Sequence, residues 1–312
     1  MVADLLRRGG RWTVQVARPA LCRPGRPAYP SSVSAPSLPE LRRGALAVSV
    51  LHDLDLAPAP LGVTLTGAPP VWVSWSECRT ALDGHDPEAS TGRLRLAAWL
   101  SARRWAADAG AQAVATGLRP VGLPVGHALH PGPSWVQEQV LGGALELGLG
   151  AVGLDPDDPD RVVLLPPTVL DDLGLERDRA WAAVRARLEE LGALAVQRVR
   201  RDPKGQLRPF GDADAVTLLG SRALRTALAR DAGGLLSAAV PMRRLGWTKL
   251  ALVDPAFAPA AAAASHPDDR GFPRPLLVTA DEVTLVPEGG QPQRLVMRDA
   301  AVGTAQTGRP AP

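Results

Sequence analysis

Any chemistry this chain performs must come from a short set of residues. His127 and His130 stand three apart in a Pro-bounded stretch, close enough to share a metal ion, with His52, Asp53 or Asp55 as remote partners. No second ligand cluster has metal-binding spacing, so the pair reads as two loop histidines. Cys78 falls at the start of an expected short helix, where the helix dipole lowers a thiol pKa, and His85 and Asp86 follow it. A Cys–His–Asp nucleophile needs convergence in space that local spacing does not supply, so Cys78 reads as a buried structural thiol. Gly148-Leu-Gly150-Ala-Val-Gly153 has the lettering of the dinucleotide fingerprint. That motif works only between a strand and the helix it opens. Here the residues before it read as a helix and an acidic turn follows, so the glycines read as a helix end. There is no Gly-x-Ser-x-Gly elbow and no Walker-type phosphate loop. These readings assign no catalytic residue, no metal and no cofactor, and they lean away from an enzyme.

Charge gives a second kind of candidate. The formal net charge is +3, but residues 1–47 carry eight Arg against Asp4 and Glu40, a net of +6. Residues 48–194 are at −8 and residues 195–250 at +7. Basicity is thus confined to a leader and one internal segment, and such asymmetry bears on partners. The chain has no Ile, no Asn and two Lys, while Gly and Pro number 31 each. This usage resembles that of a very GC-rich genome such as an actinobacterium's, so choosing Arg over Lys is no sign of phosphate recognition here.

The elements that must position these groups follow from pattern. A chain of 312 residues, 46% hydrophobic and 21% charged, has a globular composition. It is no collagen, coiled coil or disulfide mini-protein, and no run of about 18 apolar residues predicts a membrane span. Cys22 and Cys78 alone suit a reducing cytoplasm. Residues 1–44 read as a disordered Arg/Pro-rich leader, either a tail or the product of a start codon set too far upstream. Residues 45–115 read as an α+β region. Leu46–Leu51 is a strand, and Gly62–Thr66 and Val71–Trp75 form a hairpin with Val71, Val73 and Trp75 on one face. Ser76 caps a helix to Leu82, and a longer helix runs from Thr91 to Ala109 with Leu96, Trp99, Leu100 and Arg103 in one stripe. Thr116–Pro133 reads as a loop. Residues 132–230 begin with a helix from Trp135 to Leu147, capped by Ser134 and Gln137. They continue through a strand at Arg161–Leu165, a short helix stopped at Gly174, and a helix from Asp178 to Leu191 ended by Gly192. A hairpin of Ala193–Arg201 and Gln206–Phe210 closes the run, and Ala213–Arg230 is mainly helical. Residues 231–300 read as a loop over Pro241–Lys249, a helix, and a meander of strands at Leu276–Thr279, Val283–Val286 and Arg294–Met297. Residues 301–312 are a tail.

Leu170, Leu173-Gly174-Leu175, then Val184, Leu188 and Leu191-Gly192, then the basic hairpin, resemble the winged-helix form of helix-turn-helix in bacterial regulators over about residues 132–211. The fold class is therefore α+β: a winged-helix-like centre between an N-terminal α+β region and a small C-terminal meander. The resemblance implies a reading helix with Arg177 and Arg179 near a groove, and a wing whose Arg198, Arg200, Arg201, Lys204 and Arg208 neutralise phosphates. The front of that helix, Glu176-Arg-Asp-Arg-Ala-Trp181, offers base edges no Ser, Thr, Gln or Asn. The expected function is a cytoplasmic binding or regulatory protein that contacts duplex DNA or an acidic protein, with no membrane partner. The alternatives are an enzyme gathering His127, His130, Cys78 or Asp53 from separate segments, and an assembly or scaffold protein.

Overall fold

The chain enters its first helix earlier than its pattern suggests. In the computed structural model, which describes residues 35–249, 257–279 and 283–285, Leu46–Leu51 is not a strand but part of α1 (Leu38–His52). Ser37 and Glu40 close a reciprocal capping box and Pro39 sits in the first turn, so the start is fixed locally. Leu41, Ala45 and Val48 then recur on one buried face. The ordered chain thus reaches back into the expected leader, and residues 1–34 lie outside the described residues.

β1 (Leu56–Pro58), β2 (Gly62–Leu65) and β3 (Val71–Ser74) form an antiparallel sheet in that order. The expected hairpin is present, with Leu65 opposite Val71 and Gly62 opposite Ser74. Val73 is buried while Trp72 remains 47% exposed, as the two-residue period requires. The strand passes straight into α2 (Trp75–Leu82), so Ser74 rather than Ser76 is the cap, paired with Glu77. α3 (Ser90–Gly117) buries Leu96, Trp99, Leu100 and Arg103 and is interrupted at Gly110, where φ is 76°. These helices and the sheet enclose one apolar cluster.

The expected loop over 116–133 and helix over 135–147 are replaced by strands. β4 (Leu118–Pro124), β5 (Glu138–Val140), β6 (Leu145–Ala151) and β7 (Val163–Leu164) make a second antiparallel sheet around β6. Leu145, Leu147, Leu149 and Ala151 alternate with Glu146, Gly148 and Gly150, a two-residue period that suits the strand they form. β4 tolerates Pro120 and Pro124 because it is an edge strand, paired only with β6. Ser134 and Gln137 make no capping box: Pro133–Trp135 is a single 3-10 turn, and the Gln137 amide donates to the Leu147 carbonyl.

α4 (Pro167–Asp172) stops before Gly174, whose φ of 64° is a left-handed conformation that favours glycine. α5 (Arg177–Arg201) buries Val184, Leu188 and Leu191 as expected but does not end at Gly192. Ala195, Val196 and Val199 continue the apolar stripe, so the expected first wing strand is the second half of this helix. β8 (Gln206–Leu207), α6 (Ala215–Leu218), α7 (Arg222–Asp231), β9 (Leu236–Met242) and β10 (Leu245–Trp247) follow. Most of the loop expected over Pro241–Lys249 is therefore strand. After α8 (Phe257–Ala264), β11 (Leu276–Val278) pairs with both β9 and β12 (Val283–Leu285), giving the sheet order β12-β11-β9-β10-β8. The strand expected at Arg294–Met297 lies outside the described residues. Helices and antiparallel sheets thus make a mixed α+β chain. Among the described residues no helix is long and apolar enough to cross a membrane. The largest core cluster joins Leu188, Leu191 and Val199 of α5 to Leu224 of α7, Leu147 of β6, Val240 of β9 and Leu276 of β11.

Candidate functional site

The site is built where α5 meets α7. Gly192 has no Cβ because one would stand 2.0 Å from Ser221 Oγ, so the glycine lets α7 start against α5 rather than ending α5. Ser221 caps α7, its hydroxyl accepting from the Leu224 amide at 3.2 Å. One carboxylate then binds the two helices together. Glu189 of α5 accepts from Ser221 Oγ at 2.9 Å, from the Arg222 amide at 3.0 Å and from the Ala223 amide at 2.8 Å, and it pairs with Arg185. Burial opposes its charge, but the two amides and the hydroxyl hold its pKa below the usual carboxylate value. Replacing Glu189 with Ala orphans these donors and is expected to cost about 2 kcal/mol. Urea unfolding checks this, with Glu189→Gln retaining part of the loss because its amide oxygen still accepts.

Beyond the cap, Arg222, Thr226 and Arg230 stand at i, i+4 and i+8 on one face of α7. With Arg185 and Glu189 of α5 and the small Ala223 and Ala227 they line an open groove of about 710 Å³. Arg225 lies beneath, 7% exposed, its guanidinium donating to the carbonyls of Leu219 at 2.6 Å and Gly220 at 2.8 Å. Sequence reasoning did not single out Arg222 or Arg230. The signal was present, because both fall in the +7 segment at helical spacing.

The seven basic residues expected to meet a partner are not brought together. Arg177 and Arg179 stand in the first turn of α5, whereas Arg198, Arg200 and Arg201 stand in its last. Nineteen or more residues at about 1.5 Å each separate the two sets by about 30 Å. Arg177 pairs with Asp171 at 3.6 Å, and Arg198 donates to the Pro209 carbonyl at 3.0 Å. Arg200 makes a two-point contact with Asp231 at 2.6 and 2.8 Å. Arg201 is exposed at the helix end, Lys204 lies in the turn after it, and Arg208 donates to Gln206 at 2.9 Å. β8 pairs with β10 and not with residues 193–201, so these groups do not form the expected wing.

The other candidates are structural. Cys78 is fully buried, and burial pushes its thiol up to about 12, so it is no nucleophile. His85 Nδ1 is 2.8 Å from the Leu82 carbonyl and Asp86 accepts from the Glu88 amide, so neither activates Cys78. Asp53 ends α1 as its left-handed cap. His127 and His130 are both buried, and each Nδ1 accepts a backbone amide, from Leu129 at 3.2 Å and from Gly132 at 3.0 Å. Their protons therefore sit on Nε2. His130 Nε2 lies 2.9 Å from Glu146 Oε2, and its ring meets Trp135 edge-on at 5.3 Å. Among the described residues no group of three His, Cys, Asp or Glu side chains could hold a metal ion. The fingerprint glycines lie in and after β6 with no helix following. Gly148 and Gly150 make room for Trp135 and for Val121 and Val162, and Gly153 turns the chain.

The chain matches no family model, no curated protein and no solved structure.

Proposed function

We propose that this chain is a cytoplasmic binding or regulatory protein whose residues 177–247 use a winged-helix order to contact another protein rather than duplex DNA. The order is α5, β8, α6, α7, then the β9–β10 hairpin, with β10 between β9 and β8. It resembles the winged-helix order, but α5, which the sequence pattern made the reading helix, stands here as the first helix of that order. In a helix-turn-helix that reads DNA, the first helix of the pair crosses the sugar-phosphate backbone and the second enters the groove. Here α6 and the turn after it are covered by β4 and β6. Val216 and Leu218 are 0% exposed, Leu219 is 2%, and Thr217 Oγ1 accepts from the Gly122 amide at 2.8 Å. This burial is the observation that carries the reading, because it leaves no surface on which a duplex could lie against α6.

The test is fluorescence anisotropy with random-sequence duplex across a salt series, comparing the full chain with its Arg200→Gln, Arg201→Gln, Lys204→Gln variant. Removing one phosphate contact lowers the salt slope by about one. The expected result is equal slopes for the two proteins, since whatever the basic residues 1–47 contribute is common to both. A slope lower by about two or more in the variant overturns the reading and makes the end of α5 and the turn after it a duplex contact.

A further inference from the structure

We propose that the groove between the open edge of β3 and helices α3 and α4 is a docking site for a short extended segment of a partner protein, one that carries a basic side chain. The groove lies outside residues 177–247 and goes beyond the reading above. The phase of the β2–β3 pair sets its chemistry. The Trp75 amide donates to the Leu61 carbonyl at 3.1 Å, and bonded and non-bonded pairs alternate along an antiparallel ladder. Val63–Val73 and Leu65–Val71 are therefore the bonded pairs, and Thr64–Trp72 is not. β3 ends its sheet, so the Trp72 amide and carbonyl point off the open edge. The carbonyl accepts from Arg103 at 3.2 Å, while the amide has no acceptor among the described residues. Pro70 has no N–H, and the Ser74 amide donates to Glu77 at 2.8 Å. One backbone donor thus remains, enough to hold a carbonyl of an extended segment and too few to continue the sheet.

Walls and charge narrow the class. Pro69 and Pro70 before β3, Ala106 and Ala107 of α3, and Val169 and Leu173 at α4 line a groove of about 440 Å³. Such walls admit the aliphatic side chains of a peptide whose backbone bonds to Trp72. The charged residues of the lining are Arg103 and Asp172. Arg103 is buried, and its guanidinium meets two carboxylates, those of Glu77 and Asp172, each at 2.8 Å. Nearby, Arg104 is matched one to one by Asp108, and Arg177 by Asp171. One guanidinium therefore answers two carboxylates. Glu77 is the more covered of the two and also accepts from Ser74, whereas Asp172 is half-exposed, so the surplus negative charge faces the groove at Asp172. Charge complementarity selects a cationic side chain there.

The probe is a short fluorescent peptide of alternating Arg and Val, with a Gln-for-Arg copy as control, titrated by anisotropy into the full chain. The Arg peptide is expected to bind about fivefold more tightly than the Gln copy, or better. Asp172→Asn should remove most of that preference. Asp157→Asn with Asp158→Asn, which takes away two exposed acids elsewhere, should leave it unchanged. Ala107→Leu narrows the groove without altering charge and should weaken both peptides about fivefold or more. Superimposable thermal melts verify that the variants fold. Butylguanidinium carries the cation without the backbone, and should displace the Arg peptide only at concentrations about tenfold higher or more. No binding of the Arg peptide, equal binding of the two peptides, or equal binding by wild type and Asp172→Asn overturns the proposal. Displacement by butylguanidinium at equal concentration also overturns it, because the groove then takes a small cation and not a segment of protein. The reading of residues 177–247 stands or falls on its own duplex titration, so either can fail without the other.

Discussion

Replacing Trp135 with Ala is expected to destabilise the fold by about 3–5 kcal/mol, the range for deleting a large buried aromatic. Trp135 is fully buried against Val121 and Leu123, and its indole N–H donates to the Leu149 carbonyl at 2.8 Å. Its removal opens a cavity over β6, takes one of that carbonyl's two donors, leaving the Leu165 amide at 3.0 Å, and takes away the edge contact with His130. The reciprocal change tests the same joint from the other side. A Cβ on Gly148 would stand 2.3 Å from the indole ring, so Gly148→Ala must displace a packed side chain. Equilibrium unfolding in guanidinium checks both variants. A loss below about 1 kcal/mol for Trp135→Ala would show that the indole is not the support of this sheet.

Acidification should weaken the fold through His127. Burial, followed by the charges of Arg243 and His130, lowers its pKa from the ordinary 6.5 to about 4. Its folded state therefore resists the proton that the unfolded chain accepts. Above pH 6.5 the group contributes no pH dependence, and as pH falls from 6.5 toward 4 stability is lost, by up to about 3 kcal/mol. His127→Asn should flatten this limb while keeping the local turn, since its side-chain oxygen can still accept from the Leu129 amide. Urea midpoints measured from pH 7 to pH 4 decide it. An acid limb equally steep in wild type and variant would assign the loss to other groups.

The candidate site was legible in composition and illegible in detail. The +7 balance of residues 195–250 points to the stretch of chain that holds Arg222 and Arg230. Arg200 and Arg201, however, adjoin Asp231 and the end of α5, while the groove is made by Arg222 and Arg230 with Arg185 from outside that stretch. Which cations share a surface depends on the crossing of α5 and α7, and that crossing depends on Gly192 meeting Ser221. The same glycine has the local appearance of a helix end, and only the partner helix shows that its missing side chain makes room.

By itself, the sequence determined the elements whose signals are local. The β2–β3 hairpin follows from alternation around Gly67-Ala-Pro-Pro70, the stop of α4 from Gly174, and the buried faces of α3 and α5 from helical spacing. It also shows no phosphate loop and no nucleophile elbow, which are short-range devices that a sequence can display. Tertiary structure alone decided the rest. Leu145–Ala151 carries both a two-residue period and a dinucleotide lettering, and β4 carries two prolines, so neither declares itself a strand until each supplies the other's backbone partners across seven paired residues. The burial of α6 under that sheet, which turns the reading from duplex DNA toward a protein partner, rests on contacts such as Gly122 with Thr217, 95 residues apart. A window of sequence cannot report such a contact, because its free energy exists only once both segments have folded.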